Sequence, residues 1–265
     1  LLIVIMAMMA MLYTGTMDDI LNLSPALRFL IEILVVLLLI HAGGYCIDDF
    51  HGLWGIGRIP RWIAVPLTVV ASVGIINAIN LIDGVNGLSS GFCILACMMF
   101  GTLFYLSGDM KMTLLAVVSV GALIPFFFHN VFGKTSKMFI GDGGTLVMGI
   151  IMSIFVIEIL QSGSLCAAYV GESIGLIPFA LAVLCIPVFD TLRVMSTRIL
   201  KGTSPFHPDK THLHHMFIEL GASHMATTLA ILSLNVSVVL CWWLLAVSDA
   251  PIDVQLYAVA GMSLL

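Results

Sequence analysis

Nine apolar runs dominate this sequence, at 1–13, 26–42, 62–79, 90–107, 111–130, 144–161, 173–192, 227–246 and 252–265. A helix needs about 20 apolar residues to cross a bilayer, and backbone in lipid must satisfy its own hydrogen bonds, so each run reads as a helix. Only 9% of the residues are charged, against about 25% in a soluble domain, and the mean hydropathy is +1.14. The expected fold class is an all-α polytopic membrane protein, a multi-helix transmembrane bundle of about nine segments. No internal repeat or low-complexity linker divides residues 1–265, which are expected to form a single domain. The chain begins without Met inside one apolar run and ends inside another, so both ends are expected to continue in something longer, and no signal peptide can be judged.

The net charge of −5 is spread over loops and gives no sign of a nucleic-acid partner. The six cysteines lie singly in apolar runs, with neither disulfide nor metal spacing; Cys93 and Cys97 share a helix face. They read as small core residues.

Parity then sorts the loops. Those after the first, third, fifth and seventh runs hold Arg28, Lys134, Lys137, Arg193, Arg198, Lys201 and Lys210; the others hold only Arg58, Arg61 and Lys111. The positive-inside rule makes the first set cytoplasmic. Four polar motifs fall in that set: "TGTMDDILNLS" with Asp18 and Asp19, "NAINLIDGVNG" with Asn77, Asn80, Asp83 and Asn86, "KMFIGDGGT" with Phe139 and Asp142, and "SPFHPDKTHLHHMF" with His207, Asp209, Lys210, His212, His214 and His215. Polar groups at membrane depth are costly and usually functional. A second acidic doublet, Asp48-Asp49, falls on the outer side and is excluded from the site; a short outer hairpin is expected there.

Asn77 and Asn80 share a helix face, but four steps of three residues leave it. Gly84 is therefore expected to end the helix, with Asp83 at its tip and Asn86 beyond. Amide and carboxylate oxygens there suit a hard cation or a nucleotide; interhelical bonding by the asparagines is the bland alternative. Asp142 sits among glycines before a helix expected to begin near Thr145, a place where backbone N–H groups approach a phosphate. A carboxylate beside a phosphate suggests Mg²⁺; a plain helix cap is the alternative. Asp18-Asp19 likewise reads as a helix cap as readily as a site. The histidine cluster suits a diphosphate, with zinc on His212, His214 and His215 as the other option. Asp190 and Arg193, three apart at a helix end, read as a structural ion pair.

Taken together and in order, "NAINLIDGVNGL", "FIGDGG", "PVFDTLRVMSTR" and "SPFHPDKTHLHH" resemble the polyprenyl-phosphate N-acetylhexosamine-1-phosphate transferases, the MraY/WecA superfamily, and the WecA-like branch most. The resemblance implies a bundle of ten or eleven helices, of which this chain would lack the first two. It implies transfer of a HexNAc-1-phosphate, by default GlcNAc-1-phosphate, from a UDP-N-acetylhexosamine to undecaprenyl phosphate with release of UMP. This would be the first membrane step of a cell-envelope glycan pathway. Mg²⁺ is the implied cofactor, with Mn²⁺ a substitute, and a homodimer is compatible. The setting would be the bilayer of the bacterial inner membrane, crossed many times, with the site facing the cytoplasm.

Carried over by position, Asp142 would be the principal metal carboxylate, with Asn80 helping to hold the ion or the diphosphate. Asp83 matches another essential carboxylate, and Phe139 the aromatic that stacks on uracil. Asn86 stands where many relatives have Asp. Asp18 and Asp19 match the doublet near the lipid phosphate, and His212, His214 and His215 the segment near the diphosphate or sugar. Asn77, Asn80, Asn86, Phe139 and Lys210 are thus the expected substrate contacts. The competing classes are a polytopic transporter, which places polar residues near the bilayer midplane, and a CDP-alcohol phosphotransferase, whose run of spaced aspartates does not continue from "DGVNG".

Overall fold

The computed structural model describes residues 1–133, 138–171, 173–204 and 211–264. Twelve α-helices follow one another: α1 (Leu2–Leu21), α2 (Pro25–Gly43), α3 (Arg61–Leu81), α4 (Leu88–Ser107), α5 (Met110–Phe132), α6 (Gly141–Leu160), α7 (Leu165–Val170), α8 (Leu176–Val183), α9 (Cys185–Leu200), α10 (Leu213–Glu219), α11 (His224–Val247) and α12 (Ile252–Leu264). Among the described residues there is no strand, only an isolated bridge between Asp49 and Arg58. Among the described residues seven helices, α1 to α6 and α11, are long and apolar enough to cross a membrane, or eight if the bent pair α8–α9 counts as one span. All nine expected runs thus fall on helices, the last on the shorter α12.

α6 forms the centre. Of its apolar window 83% is buried, against 22–56% for the other long helices. Its sequence is apolar on every side, as a helix enclosed by others requires. α1 and α3 lie against it at close range. A methyl group on Gly15 would collide with the backbone of Asp142, and one on Gly149 would meet Ile76 Cα at 2.7 Å. Small residues give this approach where apolar helices gain little by leaving lipid for one another. Deeper in the bundle, Phe100, Phe104, Phe155 and Phe179 pack ring on ring, with centroids 5.2–6.4 Å apart.

Three boundaries differ from expectation. α1 runs eight residues beyond position 13, carrying the acidic doublet into its last turn; Thr14 and Thr16 donate to the carbonyls of Ala10 and Leu12, both at 2.8 Å, so these polar side chains ride on the helix. α6 opens at Gly141, so Asp142 lies within its first turn. The run at 173–192 is not one helix: α8 and α9 meet at 78°. Pro187 has no N–H to offer the Val183 carbonyl, and a ring at that place clashes with the preceding turn. Asn235 of α11 closes the gap. Its Nδ2 donates to Val183 O at 3.1 Å, and its Oδ1 accepts from Ile186 N at 3.4 Å. A break inside the membrane stands because a neighbouring amide satisfies the freed groups.

The outer doublet lies in a hairpin-like loop between α2 and α3, as expected. Asp48 accepts from Ser162 N at 2.6 Å and Ser162 Oγ at 3.0 Å, and Trp54 N donates to Asp253 at 2.9 Å.

The close packing of α1 on α6 makes Gly15 intolerant. Gly15→Leu should cost at least about 1–3 kcal/mol, while Gly121→Leu, with nothing within 4 Å of its added Cβ, should shift stability by less than about 0.5 kcal/mol. Thermal unfolding in detergent compares them; equal midpoints would contradict the packing.

Candidate functional site

The C-terminal ends of α1 and α3 meet the N-terminal end of α6, joined by the turn at 82–87 and by α10. Asp18, in the last turn of α1, is buried. One carboxylate oxygen accepts from Leu23 N at 2.8 Å and the other from Arg28 at 3.1 Å. Arg28 also donates to Asn77 Oδ1 at 3.3 Å, and Asn77 Nδ2 donates to Glu32 at 2.5 Å. Glu32 is fully buried and lies 3.7 Å from Arg28 Nε. Sequence reading passed over Arg28 and Glu32 as site residues. The available signal was an (i, i+4) pair of opposite charges at the head of an apolar run.

Asp19 turns the other way. Its oxygens accept from the backbone N–H groups of Asp142, at 3.0 Å, and Gly143, at 3.3 Å. The helix N-terminus expected to receive a phosphate therefore holds a carboxylate of the chain itself, which satisfies two amides that have no partner within α6. Gly141 makes the approach feasible: its φ is +62°, and a Cβ there would sit 2.7 Å from Asp19 Oδ2.

Asn80 and Asp142 are brought together. Asn80 Nδ2 donates to Asp142 Oδ1 at 2.6 Å and to Thr145 Oγ1 at 2.8 Å. Asp83 lies just past the end of α3 and accepts from Ser89 Oγ at 2.6 Å. Although open on one side, Asp83 is partly desolvated by the surrounding protein, which raises its carboxyl above the ordinary range. The charges of Asp142 and Asp19 push the same way, and the Ser89 bond opposes them. Asn86 is held through its backbone, N to His224 and O to Thr228. Phe139 is 75% exposed at the rim. Asn130, unmarked by the sequence reading, ties this rim together: its Oδ1 accepts from Gly87 N and its Nδ2 donates to Met138 O, both at 2.6 Å. Lys210, with His207 and Asp209, lies outside the described residues.

α10 brings in the histidines. His214 lies against the backbone of Gly84, where a methyl group would collide with its Nε2. Burial pushes the His214 ring down to about 4; His215 and His212 add to the effect, and Asp190 opposes it. The rings of His212 and His214 are stacked 5.9 Å apart, and those of His214 and His215 lie 4.2 Å apart. Among the described residues no three of His, Cys, Asp and Glu group as ligands of a metal, which leaves the zinc option without a geometric basis. Asp190 is more than an ion-pair partner of Arg193: it also accepts from His212 and from Leu213 N.

His214 is neutral at pH 7, because its folded value lies below the usual 6.5. Its contribution to stability is whole above pH 6.5 and is lost as pH falls through about 4. His214→Asn should therefore flatten the fall of the unfolding midpoint between those pH values; identical slopes in the two proteins would refute the assignment.

Comparison with known proteins gives the family. Residues 1–160 match the model of glycosyl transferase family 4. A probable undecaprenyl-phosphate N-acetylglucosaminyl 1-phosphate transferase of Bacillus subtilis is 33% identical over 82% of this chain and 58% of its own length. The undecaprenyl-phosphate alpha-N-acetylglucosaminyl 1-phosphate transferases of Yersinia pestis and Escherichia coli are 30% and 26% identical over 80% of this chain and 56% of theirs. The chain thus spans a little over half the length of these curated relatives. With the model matched over more than half its residues and the polar motifs joined at one end of a helical membrane bundle, this chain belongs to glycosyl transferase family 4.

Proposed function

We propose that this protein transfers N-acetylglucosamine-1-phosphate from UDP-N-acetylglucosamine to undecaprenyl phosphate and releases UMP, at the cytoplasmic face of a bacterial inner membrane. One juxtaposition carries the reading: Asp18, Asp19, Asn80, Asp83, Asp142 and the histidines gather at one end of the bundle, beside an apolar groove. The groove holds about 750 Å³ and runs along α3 between α6 and the α8–α9 break, from Trp54 at the outer hairpin to Ala78 and Thr191 near the site. A polyprenyl chain is apolar and long; such a groove suits it, with the phosphate at the inner end. The polar groups lie at one end and not at mid-membrane, unlike the sites of transporters. Arg28, Arg193, Arg198 and Lys201 at that end support a cytoplasmic setting for it by the positive-inside rule.

The chain's own groups suggest how the reaction is served. The acceptor is already an anion, so the barrier is the approach of two negative phosphates. Asp18 and Asp19 have both oxygens engaged, by Arg28 and Leu23 N in one case and by two α6 amides in the other. Carboxylates so held make poor nucleophiles, which favours direct attack by the lipid phosphate over an aspartyl-phosphate intermediate. They are well placed to orient the acceptor or take a residual proton. Phe139 offers an open ring face for the uracil, and Asn86 an amide for its edge. His214 and His215 would bond to the sugar or the diphosphate.

The donor set fits a hard cation: half-exposed Asp142 beside Asn80, with Asp83 close enough to feel its charge. Mg²⁺, or Mn²⁺ in its place, needs only one or two carboxylates when phosphates complete its shell. Bound there, it would neutralise the donor diphosphate. Asp142 and Asn80 would hold it.

Incubating the full-length protein with UDP-N-acetylglucosamine and undecaprenyl phosphate should release UMP. Asp142→Asn should lower that turnover by at least about 10²-fold without loss of the folded protein. The outer pair Asp48→Asn with Asp49→Asn should leave turnover within about twofold; an inactive but folded outer variant would place the chemistry on the wrong face. A donor labelled in the sugar-linked phosphate should leave no label on the protein when acceptor is absent; stable labelling would establish the two-step route.

A further inference from the structure

Asp190 and His212 form a buried pair that neither the metal nor the acceptor reading uses. Asp190 is 8% exposed and His212 4%. Asp190 Oδ2 lies 2.8 Å from His212 Nδ1. Asp190 Oδ1 accepts from Arg193 at 2.7 Å and from Leu213 N at 3.1 Å, and the same Arg193 nitrogen donates to Thr211 O at 2.6 Å. One carboxylate thus fixes the ring, the first residue of α10 and, through Arg193, the residue before the ring. A carboxylate on Nδ1 keeps the proton there and leaves the lone pair of the neutral ring on Nε2. Nε2 is covered and has no hydrogen-bond partner among the described residues. A buried polar atom left bare is uncommon and calls for a ligand.

We infer that Asp190 is a positioning residue for His212, holding the ring so that Nε2 accepts a hydrogen bond from an O–H or N–H of the bound nucleotide sugar. This rests on the proposed transfer reaction. It differs from a scaffold role because only Oδ2 meets the ring and only Oδ1 meets Arg193, while the Leu213 N–H is shared, 3.1 Å from Oδ1 and 3.3 Å from Oδ2. In Asp190→Asn the amide oxygen takes the place of Oδ1 and keeps Arg193 and Leu213, while the amide N–H₂ faces His212. The ring then settles in the other tautomer, and Nε2 carries a proton instead of a lone pair.

The test measures kcat and KM for both substrates in full-length wild type, Asp190→Asn, His212→Asn and the double variant. Asp190→Asn should lower kcat/KM for UDP-N-acetylglucosamine by about 10- to 100-fold, leave KM for undecaprenyl phosphate within about twofold, and match His212→Asn. In the double variant, Asp190→Asn should add less than a further twofold. A rise of more than about twofold in KM for undecaprenyl phosphate, or a full second loss in the double variant, would make Asp190 a scaffold residue and overturn the inference. Asp190→Glu, which keeps the charge but displaces the ring, gives the same comparison if the asparagine variant does not accumulate. A wild type that turns over neither substrate overturns the reaction itself, and the inference with it; an active wild type with unaffected variants overturns only the inference.

Discussion

A helix that begins at the end of a membrane bundle, packed against its neighbours, must find partners for its first amide groups, and the site of this protein is organised around how α6 meets that demand. Within α6 the N–H groups of Asp142 and Gly143 have no carbonyl four residues back. They donate to Asp19, which arrives on the last turn of α1. That bond needs α1 within backbone contact of α6, which Gly15 allows, and a left-handed Gly141 that clears the carboxylate. The same arrangement fixes Asp142 in the first turn, one hydrogen bond from Asn80. A requirement of backbone satisfaction thereby sets the distance between two of the sequence's acidic motifs.

The architecture was legible because apolar runs report their own lengths, and parity of those runs already put the four motif loops at one end of the bundle. The joining of Asn80 to Asp142, 62 residues away, was legible only through the family's ordered motifs. Three features were not. The break at Leu184 depends on Asn235, a single amide in an apolar run 48 residues beyond Pro187, and nothing local announces that it will serve Val183 and Ile186. Asn77 stands on the regular spacing of its motif, yet it is bound to Arg28 and Glu32 because the helix twist turns it toward α2. Asp190 looked complete with Arg193 three residues on; its tie to His212 crosses 22 residues of sequence and follows from the placement of α10.

The carboxylates at this end differ in what offsets their charge, and the difference sorts them by role. Asp18 has Arg28, Asp190 has Arg193, and Asp19 has the positive end of α6. Each is already compensated, and compensated carboxylates hold geometry. Asp83 and Asp142 are held by neutral donors, the Ser89 hydroxyl and the Asn80 amide. Their mutual repulsion, and that of Asp19, is left standing, and it adds to burial in raising the carboxyl of Asp83. Moving either of the first two guanidiniums toward an incoming phosphate would leave a buried carboxylate without its cation, a loss that solvent around the half-exposed Arg193 only partly offsets. The charge that admits a diphosphate is therefore better supplied from outside these pairs, beside Asp83 and Asp142. In the proposed reaction a divalent cation and the nucleotide sugar would enter that place together, since each offsets the charge that disfavours the other.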